Sequence, residues 1–405
     1  MRLLFLALLI HCSVVGAAAA NDPQTSVERL APAFEVRGHT PAIVSFQLIA
    51  NAVVVHVKLN GRGPYALLFD SGAVNFISPQ IAEELDLAVG ESEEGSGIGK
   101  RTVTVGETEV ESVQIGEAVL HRQRFHVVPL PYVMEHGFPE AIVGGVGYEL
   151  LQRIALRIDF ARRQLSMWDG ATFQYHGRGE AVPFVLQGHV PIVNGSVDGL
   201  PGMFEIDTGA EDSLSLNTPF VKQNDVMQKY SARLYGFAGE GIGGRENAYF
   251  VRVHKFEVGS IPVHSIVTEL SQDTAGATSE STIAGIVGIG VLKRFNIVFD
   301  YRDRKIYVEK NGNYDHPSVF NRAGFAPRIT AEGLKVVSVF QNSPASEAGI
   351  APADLIVAIN GRLSHDLDVP FLYTVLRQQP GTRIRLKVLH DGVEKNVEIR
   401  LRELL

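Results

Sequence analysis

Three short blocks recur in the same order in two halves of the 405-residue chain. Tyr65–Ser78 (YALLFDSGAVNFIS) pairs with Gly202–Ser215 (GMFEIDTGAEDSLS): an alternating apolar strand, then Asp, a hydroxyl residue, Gly and Ala. Ala141–Gly147 (AIVGGVG) pairs with Gly285–Gly290 (GIVGIG), setting Ile142–Val143–Gly144 against Ile286–Val287–Gly288. Leu151–Arg163 pairs with Leu292–Arg304, and there Arg153, Asp159 and Arg163 align with Arg294, Asp300 and Arg304. Self-similarity of this kind constrains architecture before any local propensity does. It predicts two copies of one domain, at 43–170 and 181–310, followed by a different unit at 316–405.

The copies read as mainly β. Val53–Leu59 and Leu156–Phe160 are β-branched or alternating runs flanked by turn residues, and Asn60–Gly61 signals a hairpin. The 40 glycines cluster in turn-like runs. A short helix is expected over Pro79–Leu87, with Ser78 as its cap and Pro79 at its first position. In the third unit, strands at Leu334–Phe340 and Asp354–Asn360, a helix over Val369–Gln378 and a hairpin around Asp391–Gly392 make an α+β pattern. Asp315–Ala326 reads as its linker and opening strand.

Composition excludes several functions. With 37 basic and 45 acidic residues the net charge is −8, so nothing draws the whole chain toward nucleic acid. A single cysteine, Cys12, rules out an internal disulfide and a cysteine-rich zinc site. Residues 1–20 carry Arg2, a short apolar run and a small-residue end at Ala17–Ala20, the pattern of a secretory signal peptide. The expected location is therefore export, to a bacterial periplasm or medium. His11 before Cys12 argues against a lipid-anchored form. No other run is long enough to span a bilayer, so no membrane span is expected in the mature chain.

Two strand–Asp–hydroxyl–Gly loops brought together make a specific chemistry available. Two adjacent carboxylates cannot both ionise easily, so one proton is shared, and one group acts as base while the other acts as acid. Such a pair activates water and protonates a carbonyl oxygen. Ser71 and Thr208 can donate and accept between the loops, while Gly72 and Gly209 allow close backbone approach. Glu205, two residues before Asp207, interrupts the apolar strand; alternation would turn it away from the core that holds Phe204 and Ile206.

At Asp70–Ala73 and Asp207–Ala210, together with the apolar–apolar–Gly blocks, the chain resembles retroviral-type (retropepsin-like) aspartic proteases. The resemblance implies two acid-protease-type β-barrel lobes forming a pseudo-dimer in one chain. It implies Asp70 and Asp207 as the catalytic pair, supported by Ser71, Gly72, Thr208 and Gly209. Ala73, Ala210, Glu211 and Asp212 would hold substrate backbone, with Val74–Asn75 offering fewer acceptors in the first copy. Gly-rich flaps would map to Gly95–Gly99 and Gly236–Gly244, with Gly97, Gly99, Gly239 and Gly241 at their tips and Tyr235 beside one of them. Polypeptides are the implied substrates, and the chemistry calls for no metal and no cofactor.

Residues 316–405 resemble a PDZ domain of the bacterial protease type, through Val336–Val339, Asn342–Ile350 and Asp354–Gly361. Ala353 stands where that family has Gly. The resemblance implies capture of C-terminal peptides by strand addition, with Gly324–Phe325 in the carboxylate loop. Two other readings stay open at the level of sequence. One is a catalytically inactive peptide-binding protein of the same fold. In the other, each copy pairs with a second chain.

Overall fold

A computed structural model describes residues 33–91, 93–96, 102–241 and 244–405. The expected signal peptide, Cys12, Gly97 and Gly99 lie outside the described residues. The chain is mainly β, with short helices at strand ends.

The two copies share one connectivity. In the first lobe, Ala52–Leu59 turns through Asn60 and Gly61, both at positive φ, into Arg62–Phe69. Asn–Gly suits that tight turn because both central residues must be left-handed. Ile142–Val146 then runs parallel to Arg62–Phe69, with Val146 opposite Phe69, and antiparallel to Phe76–Ile77. In the second lobe, Val190–Val197 turns through Asp198 and Gly199, again at positive φ, into Leu200–Ile206. Gly285–Val287 runs parallel to that strand, with Val287 opposite Ile206, and antiparallel to Leu214–Leu216. Even the turn anchors correspond. The Asn60 carboxamide accepts the Ser112 amide (3.0 Å), and the Asp198 carboxylate accepts the Lys255 amide (2.7 Å).

This register corrects one expectation. Val146 and Val287 occupy equivalent places, so Gly147 corresponds to Gly288, and Gly144 to Gly285. The apolar–Gly blocks align three residues away from the sequence reading. The physical reason is backbone approach. A Cβ on Gly147 would lie 2.3 Å from the Asp70 carbonyl, and one on Gly288 would lie 2.7 Å from the Ala210 carbonyl. Only glycine at those places lets the strand pass behind the Asp loop.

The third repeated block joins the lobes. Ile154–Asp159 pairs antiparallel with Phe295–Asp300, setting Ala155 opposite Asp300 and Asp159 opposite Asn296. Because these are the same segment of each repeat, the pairing is symmetric about a pseudo-twofold axis. One apolar core runs through both lobes, including Val55, Phe69, Phe204 and Ile206.

The helix expected at Pro79–Leu87 runs only over Pro79–Glu84, with the Ser78 side chain accepting the Ile81 amide. The C-terminal unit opens with Phe325–Thr330, which pairs with Gly333–Val339; Leu355–Ile359, Arg383–His390 and Val393–Arg400 complete the main sheet. Its longer helix, Val369–Val375, is shorter than expected and is capped by Asp368. This unit does not hang free. Its core residues Phe325, Val336 and Leu372 form one cluster with Leu68, Phe76 and Met134 of the first lobe and Phe237 of the second.

Candidate active site

Arg62–Phe69 and Leu200–Ile206 end side by side at the pseudo-twofold axis, and each delivers an aspartate into the space between the lobes. Ladder bonds from Asp70 N–H to the Val146 carbonyl and from Asp207 N–H to the Val287 carbonyl, both 3.0 Å, fix the two loops alike. The next residue of each loop then crosses to the other. Ser71 N–H donates to Thr208 Oγ1 (2.9 Å), and Thr208 N–H donates to Ser71 Oγ (3.0 Å). Each hydroxyl passes its own proton to a carbonyl of the opposite strand, Ser71 Oγ to Ile206 (2.8 Å) and Thr208 Oγ1 to Phe69 (3.1 Å). Four buried hydrogen bonds thus lock the loops together.

The glycines carry the carboxylates. Gly72 N–H donates to Asp70 Oδ1 (2.9 Å) and Gly209 N–H to Asp207 Oδ1 (2.7 Å). A Cβ on Gly72 would lie 2.6 Å from Asp207 Cγ, and one on Gly209 would lie 2.2 Å from Asp70 Oδ2. Each carboxylate therefore lies over the other loop's glycine, and a hydrogen bond links the two acids. Both are wholly buried, at 0% exposure. Burial first, then the charge of Asp207 and its hydrogen bond, hold the Asp70 carboxyl well above its ordinary range. A pair in which one member keeps a proton near neutrality can supply both an acid and a base.

Glu205 departs from the sequence expectation. Both faces of its strand are covered, so alternation does not carry it to solvent, and it is only 3% exposed. It shares the strand face of Asp207, two residues on. Its Oε1 has no hydrogen-bond partner among the described residues. Burial, then the Asp207 charge, push its carboxyl well up, and Asp70 feels it in turn. The equivalent place in the first lobe is Leu68. The signal was present in the sequence as a broken apolar pattern, but the covering of both strand faces was not.

The residues after the dyad differ between the lobes. Ala73 and Ala210 are both fully buried, and the Ala73 and Ala210 carbonyls accept the amides of Tyr148 and Ile289 at 2.9 and 2.8 Å. In the second lobe Glu211 and Asp212 line a cavity of about 540 Å³, together with Glu269, Lys293 and, from the C-terminal unit, Tyr373 and Arg377. The Glu211 carbonyl accepts Asn51 Nδ2 (2.6 Å), and Asn51 Oδ1 accepts Lys293 Nζ (2.9 Å). Sequence reasoning missed these two residues: Asn51 lies 160 residues from Glu211 along the chain, and Lys293, though inside the third repeated block, lies 242 from Asn51. In the first lobe, Asn75 Oδ1 accepts the Gly147 amide (2.8 Å), and the Asn75 amide donates to Glu149 (2.6 Å). Burial pushes the Glu149 carboxyl up to about 7 against that hydrogen bond.

Gly239 and Gly241 belong to Leu234–Gly241, which pairs with Gly244–Val258 as a hairpin; Gly241 lies opposite Gly244. Tyr235 is exposed and stacks obliquely on Tyr249, at 4.8 Å between ring centroids. The hairpin rests on the C-terminal unit. Phe237 N–H donates to Ser338 Oγ (3.2 Å), Glu240 pairs with Arg328 (2.7 Å), and Arg245 reaches the Val337 carbonyl (3.3 Å). Within that unit, Gly324 has positive φ and Phe325 is fully buried.

Comparison with known proteins places two domains on this framework. The aspartyl protease family model matches residues 55–146, and the PDZ domain model matches 307–401. Among curated proteins, the carboxy-terminal processing protease CtpB of Bacillus subtilis is 26% identical over 114 residues, 28% of this chain and 23% of that protein. A probable periplasmic serine endoprotease DegP-like of Hahella chejuensis is 36% identical over 73 residues, 18% and 15% of the two chains. CtpA of Bacillus subtilis is 30% identical over 69 residues, 17% and 15%. The matched stretches thus cover less than a quarter of each relative's length. Among the described residues, no helix is long and apolar enough to cross a membrane.

Proposed function

We propose that this chain, with its aspartyl protease domain and its PDZ domain, is an exported aspartic endopeptidase. The observation that carries the reading is the pair of hydrogen-bonded, buried aspartates, each seated over the opposite loop's glycine. One carboxylate takes a proton from water as the water attacks the scissile carbonyl. The other, protonated, donates to the carbonyl oxygen. The proton taken from water is then passed to the leaving amine, the hydroxyl made from the carbonyl oxygen returns its proton to the other carboxylate as the C–N bond breaks, and no covalent intermediate forms. Burial and the charge of Asp207 favour the protonated form of Asp70. Ser71, Thr208, Gly72 and Gly209 keep the pair in register, and Glu211 and Asp212 offer acceptors to the backbone of an extended substrate. Suitable substrates are unfolded or exported polypeptides, and the PDZ domain contributes peptide recognition.

Incubating the purified chain with denatured casein from acid to neutral pH tests this. Cleavage by the wild type, abolished by Asp70→Asn and by Asp207→Asn, is expected. Cleavage by the double variant at the wild-type rate would remove the dyad from the mechanism. A second reading, a peptide-binding protein without turnover, draws support from Glu205, which adds a third carboxyl beside the pair. It predicts peptide affinity with no cleavage at any pH in the same experiment.

A further inference from the structure

In a PDZ domain the peptide site lies between one edge strand and the longer helix. Here the edge strand is Phe325–Thr330, where the sheet ends, and the helix is Val369–Val375. That space is not open. The first lobe sends Leu130–Phe138 into it, with a short helix over Tyr132–His136. The helix packs on Phe325–Thr330. The Gly137 carbonyl accepts the Val369 amide at the start of the longer helix (2.7 Å). A Cβ on Gly137 would lie 3.2 Å from Ile329 Cδ1. Met134, at 0% exposure, and Phe138 belong to the same apolar cluster as Phe325, Ala326, Leu372 and Val375.

The loop suited to a peptide carboxylate is engaged as well. The amides of Ala323 and Gly324 both donate to Asn321 Oδ1, at 2.9 and 3.0 Å. Groove and loop are thus both filled from within the chain. The inserted helix covers the edge strand without extending its ladder, so an extended peptide has a strand-pairing site to gain by displacing it.

We infer that Leu130–Phe138 is a built-in ligand of the PDZ groove, and that an outside peptide binds only by displacing it. This goes beyond the proposed catalytic activity and does not rest on it. The strand it covers also reaches the flap hairpin. Adjacent residues of a strand face opposite sides, and while Ile329 meets the inserted segment, Arg328 holds Glu240 (2.7 Å). Displacing the segment therefore disturbs the surface on which the hairpin of Leu234–Gly241 and Gly244–Val258 rests.

The test reads binding, whatever turnover proves to be. A fluorescein-labelled peptide with the sequence of residues 128–140 is titrated by anisotropy into the full chain, and into a variant with residues 131–138 replaced by Gly and Ser. A groove open in one molecule in ten or fewer weakens apparent affinity at least about tenfold. The replaced chain is thus expected to bind at least about tenfold more tightly than the wild type. Equal affinity overturns the inference, as does absence of binding by a replaced chain that still unfolds cooperatively. Should the replacement unfold the chain, Val133→Asp carries the same comparison, since that side chain is only half-buried. In wild type, saturating peptide is expected to speed amide exchange in 234–241; unchanged exchange at saturation refutes the link to the hairpin.

Discussion

Removing one hydroxyl from the crossed pair beneath the dyad has a calculable effect. Thr208→Ala leaves the Ser71 amide without its acceptor and takes away the donor to the Phe69 carbonyl. Both groups are buried, and solvent does not replace the lost partner. An orphaned buried amide costs about 1–3 kcal/mol, and a carbonyl that keeps a second lone pair costs less. The sum is about 2–4 kcal/mol, a roughly 30- to 900-fold change in the folding equilibrium. Ser71→Ala has the mirror-image effect, orphaning the Thr208 amide and the Ile206 carbonyl. Thr208→Ser keeps the oxygen and loses only a methyl group. The chain's one tryptophan, Trp168, reports on unfolding; it lies in Gln164–Asp169, next to the sheet that joins the lobes. Urea titrations followed by its fluorescence should rank wild type, Thr208→Ser and Thr208→Ala in falling order, with the serine variant near wild type. A loss below about 0.5 kcal/mol for Thr208→Ala, or equal losses for alanine and serine, would refute the assignment of those bonds to the lobe junction.

Further predictions concern the carboxyls and the hairpin at 234–258. Glu205 has a raised folded pKa, so above its unfolded value of 4.5 the unfolded state binds fewer protons, and stability falls as pH rises from there. Glu205→Leu, which copies Leu68, should therefore flatten the loss of melting temperature between pH 4 and pH 7; an unchanged pH slope would show that Glu205 ionises freely. Glu149 acts with the same sign over the window from 4.5 to about 7, and Glu149→Gln should raise the midpoint of unfolding at pH 8 more than at pH 4. Gly209→Ala puts a methyl where Asp70 Oδ2 lies, so casein cleavage should fall at least about tenfold; wild-type turnover would mean that the carboxylates sit elsewhere. Arg328→Ala breaks a partly exposed ion pair worth about 1 kcal/mol or less, yet hydrogen exchange should quicken at 234–241, and unaltered exchange there would show that the pair does not restrain the hairpin.

The mainly β architecture was legible because the duplicated blocks carry strand and turn signals that local physics decides. Asn60–Gly61 needs no long-range context to turn a chain. The glycine register was harder: AIVGGVG holds three glycines, and only the passage of the strand behind Asp70 selects Gly147. Alternation misplaced Glu205 because it presumes one wet face, whereas Leu200–Ile206 has Phe204, Glu205 and Ile206 all buried. Asn51 and Lys293 are held to the Glu211 loop by contacts 160 and 242 residues apart along the chain, which no local pattern announces. The seating of Leu130–Phe138 against the PDZ domain escaped for the same reason. A Pro-flanked stretch with a half-turn of apolar residues reads as an ordinary connection.

The symmetric pairing of Ile154–Asp159 with Phe295–Asp300 has an evolutionary consequence. When two identical subunits build a site across a twofold axis, every substitution is imposed on both halves, and a change useful on one side must be survivable on the other. Joining the halves in one chain, with the shared sheet keeping the axis, removes that restriction. Leu68 holds in one copy the place of Glu205 in the other, Asn75 holds that of Asp212, and the segment that enters the PDZ groove comes from one copy while the hairpin that rests on the same domain comes from the other. The twofold equivalence holds where the loops interlock, in the strands behind them and in the shared sheet, and the halves differ at these other places.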